Sequence, residues 1–449
     1  MIEADVLIIG RGVAGCAMAL ALKKKGGKNI VLVGREPDFD ENITETLPIA
    51  GHQLLCQLDL GHLVEKHPVS NGIVSRWGGN QTLVRESVFE VFDTSWQLHK
   101  AVFVGDLHDA VIKQNIPCIT ISQLQEVKRG DDGKWQLRFK QGETEHLIHA
   151  SFVVDASGRN SAFARKAGGK KIMFDNQAAI TGVFVPRDRP PQKISSFIEA
   201  LPNGWCYSAV NHKNARFVTL FTDADILNDL KLNKKGAWLE YMQHSGLFNT
   251  MAAGEKLADI SICPASSYFM EIPPAGGWLP IGDACYAVDP LTSAGLFHAI
   301  NSAITSTDHL ASYLNGDDNA LAALNQINHT RFENYLQERV NMYRQVKTFA
   351  NNQYWQRRHG RISLEPNQLI ARQNDADALN QVKKINTYLS PAEWESLYAL
   401  CGERTAAHEI VSKFNTFRPA IPPGRTIQAL QFLIDRELLR WVSDNTSDN

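Results

Sequence analysis

Three glycines near the N-terminus are spaced for work on a charged ligand, in the run Ile8-Ile9-Gly10-Arg11-Gly12-Val13-Ala14-Gly15. In a Gly-x-Gly-x-x-Gly pattern the first glycine permits a tight turn out of a strand. The second lets backbone approach a pyrophosphate, and the third lets a helix lie close on a sheet. The helix N-terminus then faces the phosphate charge. The chemistry implied for Gly10, Gly12, Val13, Ala14 and Gly15 is dinucleotide binding. An acidic residue ending the next strand would hold the ribose hydroxyls. Here that strand ends Val33-Gly34-Arg35-Glu36. Either Glu36 reaches back, or water and backbone substitute for it. Arg35 either meets a phosphorylated ribose or stands exposed.

Such glycines carry this meaning only between a strand and a helix. Ala4-Asp5-Val6-Leu7-Ile8-Ile9 is a short apolar run rich in β-branched residues, as expected of a buried parallel strand. Cys16-Ala17-Met18-Ala19-Leu20-Ala21-Leu22 reads as helix, Gly26-Gly27 stop it, and Ile30-Val31-Leu32-Val33 supplies a second strand. The result is a βαβ unit. Two distant segments repeat the form of a strand ending in an acid and a glycine. One is Ser151-Phe152-Val153-Val154-Asp155-Ala156-Ser157-Gly158-Arg159-Asn160-Ser161. The other is Trp278-Leu279-Pro280-Ile281-Gly282-Asp283-Ala284, followed by Asp289-Pro290-Leu291-Thr292-Ser293-Ala294-Gly295-Leu296. Ser95-Trp96-Gln97-Leu98-His99-Lys100-Ala101-Val102-Phe103 stands ahead of a further helix.

In order and spacing, these segments resemble the three motifs of FAD-dependent aromatic hydroxylases and flavin halogenases, over roughly the first three quarters of the chain. The resemblance implies an α/β fold, with a Rossmann-like FAD-binding domain of aromatic-hydroxylase type. It implies that Asp155 and Gly158 belong to the FAD site. The Gly282-Asp283 pair would set a carboxylate against the ribityl or pyrophosphate part of FAD. The turn carrying Pro290, Ser293, Ala294, Gly295 and Leu296 would open a helix aimed at the flavin pyrimidine edge, where its N-terminus favours negative charge on reduced flavin. Lys100 stands where relatives often have an arginine on the FAD phosphates; a lysine keeps the charge and loses the fork. A solvent-exposed helix-end lysine is the competing reading. No second Gly-x-Gly-x-x-Gly occurs, which argues against a separate NADPH domain of the disulfide-reductase type. The electron donor would be NAD(P)H in transient contact, a reductase or another reductant.

Within that family the halogenases carry an essential lysine and a glutamate in a Pro-Leu-Glu-Ser turn. Here the turn reads Pro290-Leu291-Thr292-Ser293, and Asn71-Gly72-Ile73-Val74-Ser75-Arg76-Trp77-Gly78-Gly79-Asn80 holds no lysine. The WxWxIP signature of the halogenases is missing too. Glu45-Thr46-Leu47-Pro48-Ile49-Ala50, Trp77-Gly78, Gly204-Trp205-Cys206-Tyr207-Ser208-Ala209 and Phe221-Thr222-Asp223-Ala224-Asp225 are instead similar to the flavoproteins that mature quinone cofactors of lysine ε-oxidase, glycine oxidase and quinohemoprotein amine dehydrogenase. That branch implies oxygenation of a tryptophan in a precursor of a quinoprotein oxidase, toward cysteine tryptophylquinone or a related cofactor. A monooxygenase or dehydrogenase of a small aromatic metabolite, and a flavin-containing assembly chaperone, are the alternatives. Oxygen delivery to an indole needs a dry, orienting pocket. Trp77, Trp96, Trp205 and Tyr207 either line it or belong to the core. His52, one helical turn after Pro48, is the candidate acid or base, with a hydrogen-bonded structural histidine as the other reading.

The rest of the chain sets bounds. Its 449 residues suit two or three domains. We expect an FAD-binding first part at 1–171 with a substrate-domain excursion near 70–100, an antiparallel-sheet substrate domain at 172–272, an FAD-binding second part at 273–350 and a helical region at 351–449. Residues 178–185 and 215–221 read as strands of the sheet. Helical sequence continues from Phe297 to about Asn351, and it returns at Glu393-Trp394-Glu395-Ser396-Leu397-Tyr398 and Ala429-Leu430-Gln431-Phe432-Leu433-Ile434. Pro419, Pro422 and Pro423 separate two helical stretches, and residues 443–449 are expected to fray. The tail is expected to pack first and to contact a partner second. A net charge of −2 argues against a nucleic-acid binder, and Lys23-Lys24-Lys25 reads as a solvated helix end. No 18-residue apolar run offers a membrane span. The strand beginning within five residues of Met1 leaves no room for a leader, so cytoplasm is the expected compartment. Seven scattered cysteines fit reduced thiols. With no CxxC or HExxH, zinc is not expected.

Overall fold

The computed structural model describes residues 2–36, 44–70, 72–79, 81–85, 94–185, 196–211, 215–252, 254–272, 276–359, 364–373, 376–383, 388–421, 423–435 and 438–442. Asn71, Asn80, Pro422 and residues 443–449 of the expectations above lie outside them. The chain divides into one unit of 1–171 with 176–335, and a second of 172–175 with 336–449.

The first unit is built on a sheet whose strands run in the order Cys118–Thr120, Ile30–Gly34, Ile2–Ile9, Thr144–Asp155, Trp135–Gln141, Gln123–Arg129, with Trp278–Pro280 also pairing Thr144–Asp155. Ile30–Gly34, Ile2–Ile9, Thr144–Asp155 and Trp278–Pro280 are parallel, and their central residues are buried. The continuous apolar runs follow from that burial on both faces. Helix Val13–Lys24 is buried from Val13 to Leu22. Its alanines and Gly15 let it sink between the sheet and helix Gly295–Leu314, where Thr307 Oγ1 donates to Met18 Sδ at 3.1 Å. Lys25 closes the helix and Gly26 turns away at φ +83°.

Register brings the three motifs to one sheet edge. Ile9 pairs Asp155 on one side and Val33 on the other, and Asp155 pairs Pro280. The turns after Ile9, Asp155 and Pro280 therefore emerge together at the carboxyl ends of parallel strands, the edge where such sheets bind ligands.

A second sheet in this unit runs Leu257–Pro264, Gln177–Phe184, Arg216–Asp223, Gly204–Val210, Ser196–Leu201, Ile73–Arg76, Leu83–Arg85. Its pairs are antiparallel, except that Ser196–Leu201 runs parallel to Ile73–Arg76. Helices Lys235–Met242 and Gly246–Met251 cover one face, with Trp238, Met242 and Phe248 packing on Ile180, Cys206, Val218 and Leu220. A two-stranded ribbon of Thr44–Pro48 and Ser95–His99 stands beside it.

Two sequence expectations change in detail. The segment from Phe297 to about Asn351 is not one helix: Gly295–Leu314 ends before Gly316, at φ +100°, and helix Ala320–Arg344 begins anew. The Trp278 strand is short, and Gly282–Ala284 is a turn of 3₁₀ helix.

The second unit packs Trp394, Leu397, Ile410, Phe414, Leu430 and Leu433 of helices Pro391–Leu400, Ala407–Phe417 and Pro423–Asp435 into its own core. Ser390 and Glu393 form a capping box at the first of these. A small sheet of Thr405–Ala406, Leu369–Arg372 and Leu439–Val442 joins the helices. Its strands are too short to show a period in sequence. Among the described residues, no helix is long and apolar enough to cross a membrane.

Candidate functional site

The glycine turn is fixed by close contacts on two sides and open on the third. Gly10 sits at φ +127°, and a Cβ there would lie 2.1 Å from the Ala156 carbonyl oxygen. A Cβ on Gly15 would lie 1.8 Å from the Gly10 carbonyl oxygen, so Gly15 lets the helix rest on the turn itself. Gly12 differs: a Cβ there would meet no atom within 4 Å. It is the N-cap of Val13–Lys24 and, having no side chain, caps that helix with none. The helix that carries the N–H groups of Val13 and Ala14 thus begins at a residue beside which no described atom stands, the room an anion at a helix N-terminus needs.

Arg11 is nearly buried, and its Nη1 donates to Glu36 Oε2 and to Thr120 Oγ1, both at 2.8 Å. Its Nε finds no acceptor among the described residues. Glu36 is exposed and turned toward Arg11, and Arg35 Nε donates to the Ser122 carbonyl at 3.0 Å. Both therefore stand at the strand end, engaged with the chain.

Asp155 is fully buried and holds the next turn. Its Oδ1 accepts from Ser157 N and Ser157 Oγ at 2.9 and 2.6 Å, and its Oδ2 from Phe163 N and Ala164 N at 3.0 and 2.7 Å. Burial pushes this carboxyl up, while those four donors pull it down. The structure thus gives Asp155 a positioning part: it shapes the segment in which Gly158 takes φ +65°. Arg159 from that segment donates to the Ser266 carbonyl at 2.7 Å and approaches Asp283 Oδ2 at 3.5 Å.

Gly282 takes φ +53°, and its N–H donates to Ser302 Oγ at 2.9 Å. A Cβ on it would lie 3.1 Å from Ala14 Cβ, so this turn touches the start of the first helix. Asp283 is about one-third exposed, and Tyr268 donates its hydroxyl to the Asp283 carbonyl. Lys100 opens helix Lys100–Lys113 and pairs with Glu45. Glu45 foremost, and Asp283 more weakly, hold its amine above the ordinary 10.5. Half-buried Lys171 donates to the Arg159 carbonyl at 2.6 Å and lies 4.0 Å over the Tyr268 ring. Burial, then Arg165 and Arg159, bring its amine down to about 8.

The last motif is a turn leading into a helix. Asp289 caps the 3₁₀ turn Pro290–Thr292, accepting from Leu291 N at 3.0 Å, and Thr292 Oγ1 donates to the Asp289 carbonyl at 3.0 Å. Ser293 takes φ +48°, and Ala294 is the N-cap of Gly295–Leu314, with no side-chain cap of its own. Leu296 is buried. Tyr335 fastens this turn, accepting from Asp289 N at 2.7 Å and bonding Ser267 Oγ at 2.6 Å.

The sequence reading passed over His298, buried in the first turns of the same helix. It meets the Tyr286 carbonyl at 3.0 Å and lies 4.1 Å from the Tyr286 ring. Burial holds its imidazole below the ordinary 6.5, against Asp283 and the carbonyls of Gly282 and Tyr286. No local pattern marks such a histidine; only the packing does. A histidine with a lowered folded pKa stabilises fully above about 6.5, and that stability is lost as pH falls below it. His67 and His108 are lowered by burial as well. Thermal midpoints should therefore drop between about pH 7.5 and 5.5, less steeply in His298→Gln than in the parent. Equal slopes would remove His298 from the account.

His52 is not brought to this group. It bonds Glu65 at 3.0 Å and stacks on Trp96 at 4.7 Å. The other aromatics gather on the face of the second sheet opposite helices Lys235–Met242 and Gly246–Met251, where Trp205, Phe217 and Phe221 are buried and Trp77 and Tyr207 half-buried. Trp205, Tyr207, Phe217 and Phe221 alternate along their strands with the core residues Cys206, Val218 and Leu220, and so point the other way. Trp205 stacks on Phe221 at 4.1 Å, with Trp77 edge-on at 6.1 Å. Thr46 and Ser196 hydrogen-bond with Tyr207, and Gln97 Nε2 donates to Ser196 Oγ at 3.0 Å. The ribbon that carries Glu45 and leads into Lys100 thus borders this aromatic face.

The family described as FAD binding domain matches residues 3–346. The chain is 27% identical over 374 residues, 80% of its length and 98% of the other's, to a protein of Marinomonas mediterranea named FAD-dependent oxidoreductase LodB. Among solved structures, the myxobacterial chondrochloren halogenase CndH superposes with a TM-score of 0.73 at 18% identity, over 98% of this chain and all of that one. The peptidyl tryptophan dihydroxylase QhpG, essential for tryptophylquinone cofactor biogenesis, superposes with a TM-score of 0.61 at 18% identity, over 83% of this chain and 84% of that one. At such identity these two show a shared fold.

Proposed function

The chain belongs to the FAD binding domain family, and we propose that within it the chain is a monooxygenase that hydroxylates a tryptophan of a precursor protein, on the way to a cysteine tryptophylquinone-type cofactor. FAD is the cofactor of this family, and its members are oxidoreductases, halogenases and monooxygenases. The observation that carries the proposal is the aromatic face formed by Trp205, Phe221, Trp77 and Tyr207. Trp205 and Phe221 are buried in it, stacked on each other, and the half-buried Trp77 and Tyr207 are the rings left to offer flat contact to an indole. QhpG, one of the proteins with this fold, is a peptidyl tryptophan dihydroxylase, and the proposal takes its substrate class from there. Thr292 supports hydroxylation over halogenation: its hydroxyl is bonded within the turn where halogenases carry a carboxylate. Ile73–Arg76, Trp77, Gly78 and Gly79 hold no lysine.

In this reading Gly10, Gly12, Val13, Ala14 and Gly15 receive the pyrophosphate, and Glu36 with Arg35 lies beside the ribose. Lys100, Gly282 and Asp283 follow the ribityl and phosphate groups, with Asp155 and Gly158 shaping the turn behind them. Ala294, Gly295 and Leu296 present backbone N–H groups to the flavin edge, with Pro290 and Ser293 shaping the turn ahead of them. Bound FAD supplies electrons and activates dioxygen for insertion into an electron-rich ring. The chain's own part is to orient that ring and keep water out. Oxygen and a reductant, NAD(P)H or a reductase, complete the reaction.

The test weighs the precursor. The reduced protein is mixed with a candidate quinoprotein precursor and air, and the precursor is then examined by mass spectrometry. A gain of oxygen mass at a tryptophan is expected. A stable complex with unchanged mass would make the chain an assembly chaperone. Turnover of a free phenol or indole, with no precursor bound, would make it an enzyme of small metabolites.

A further inference from the structure

His52 stands apart from the cofactor residues and beside a thiol. We propose that Cys56, served by His52 and Glu65, is a site of oxidation by hydrogen peroxide, a modification site separate from the monooxygenase chemistry. Helix Ile49–Cys56 sets His52 and Cys56 four residues apart on one face. The Cys56 sulfur lies 3.8 Å from His52 Nδ1 and 3.7 Å from Nε2. Glu65 Oε1 lies 3.0 Å from Nε2, and in the tautomer that donates Nε2–H to it Nδ1 is the nitrogen left to accept a proton. The imidazole cannot swing away freely, because it stacks on the buried Trp96 ring at an interplanar angle of 29°. Thiol, imidazole and carboxylate thus stand in one contact cluster, the sulfur nearly equidistant from the two ring nitrogens.

Two further observations single out this thiol. A Cβ on Gly61 would lie 2.5 Å from Cys56 Sγ and 3.2 Å from His52 Nε2, so only glycine leaves the pair its room. Among the seven cysteines, Cys56 and Cys263 are exposed. Burial pushes the Cys263 thiol up, as it does those of Cys16, Cys118 and Cys206, and it takes Cys285 and Cys401 to about 12. Cys56 alone combines exposure with an imidazole at hydrogen-bond distance among the described residues.

The step is balanced by one peroxide. His52 Nδ1 takes the thiol proton while Sγ attacks one peroxide oxygen, so an S–O bond forms and the O–O bond breaks. Sulfur gives up two electrons and the peroxide accepts them. The proton passes from His52 to the departing hydroxide, leaving a sulfenic acid and one water. Hydrogen peroxide is the two-electron product of dioxygen, the co-substrate of this family's monooxygenases, so the oxidant belongs to the chain's own surroundings.

The FAD-loaded protein is treated with dilute hydrogen peroxide and dimedone, and each cysteine peptide is followed by mass spectrometry. Cys56 should trap dimedone about ten times faster than Cys263. His52→Asn should slow Cys56 about tenfold, and Glu65→Gln, a change at an exposed carboxylate, severalfold. Cys56→Ser should abolish that adduct and keep full FAD content. Equal labelling of Cys56 and Cys263 would overturn the proposal. So would an unchanged Cys56 rate in either the His52 or the Glu65 variant. None of these readouts depends on which substrate the flavin site takes.

Discussion

Gly12→Val should give a folded chain that carries no FAD, while Gly15→Val should lose fold and cofactor together. The two glycines lie three residues apart in one motif, and their surroundings are opposite. A Cβ on Gly12 meets nothing within 4 Å, and its φ of −81° and ψ of −171° suit any residue. Valine there should move stability by only about 0.5 kcal/mol. Its methyls would fill the approach to the N-terminus of Val13–Lys24, where the pyrophosphate is received in our reading. At Gly15 the added carbon would stand 1.8 Å from the Gly10 carbonyl oxygen, a contact that only backbone movement can relieve. That costs about 3 kcal/mol or more. Thermal midpoints and the visible flavin absorbance per chain separate the cases. A Gly12→Val protein with full flavin content would contradict the placement of the cofactor.

The contrast also marks how far sequence reaches. The glycine spacing is legible because every part of the βαβ unit is contiguous: strand, turn, helix and strand follow within 35 residues. Strand ends at Asp155 and Pro280 are legible as apolar runs closed by an acid or a glycine. What those acids do is not. The strand end marks Asp155 for the cofactor site, and it spends both oxygens on its own turn, because Phe163 and Ala164 fold back over it. The position of Glu36 suggests a ribose, and its carboxylate accepts from Arg11, 25 positions away and unremarkable in the motif. Lys100 finds Glu45 through a ribbon that pairs Thr44 with His99, a register no local pattern announces. His298 carries no signature at all. Pairing partners, unlike strands, are properties of the assembled chain.

The same logic holds for the aromatic face. Trp205 and Tyr207 alternate with Cys206 and Ser208, which tells that they share a face but not which face is covered. The helices that settle it, Lys235–Met242 and Gly246–Met251, follow the strands by some 25 residues and cover the Cys206 side. The aromatic side is thereby left toward the ribbon that leads into Lys100, and the substrate reading rests on that choice.

Asp155→Ala should be the most damaging change of a single carboxylate at this sheet edge, and it should act on the fold before it acts on chemistry. Asp155 pairs in register with Ile9 on one strand and Pro280 on another, and backbone bonds fix it there: Ala156 N donates to Ile9 O at 2.8 Å, and Ile281 N to Asp155 O at 2.9 Å. Its carboxylate satisfies three backbone N–H groups, of Ser157, Phe163 and Ala164, with no exposure to water. Alanine leaves the Phe163 and Ala164 donors buried without an acceptor, at about 1–3 kcal/mol each, and strips the half-buried Ser157 of its partner as well. A loss of order 5 kcal/mol is comparable with the whole stability of many domains. Asn should fare little better, since its amide nitrogen would have to face either the Ser157 donors or those of Phe163 and Ala164. Because the Ala156 carbonyl backs Gly10, and Arg159 reaches Asp283, a slack turn here would loosen the glycine turn and the Gly282 turn together. The expected signature is a thermal midpoint lowered by many degrees, with FAD lost in proportion. If Asp155→Ala kept its midpoint and lost only FAD, the carboxylate would be a cofactor contact after all, and the hydrogen bonds assigned to it would be dispensable.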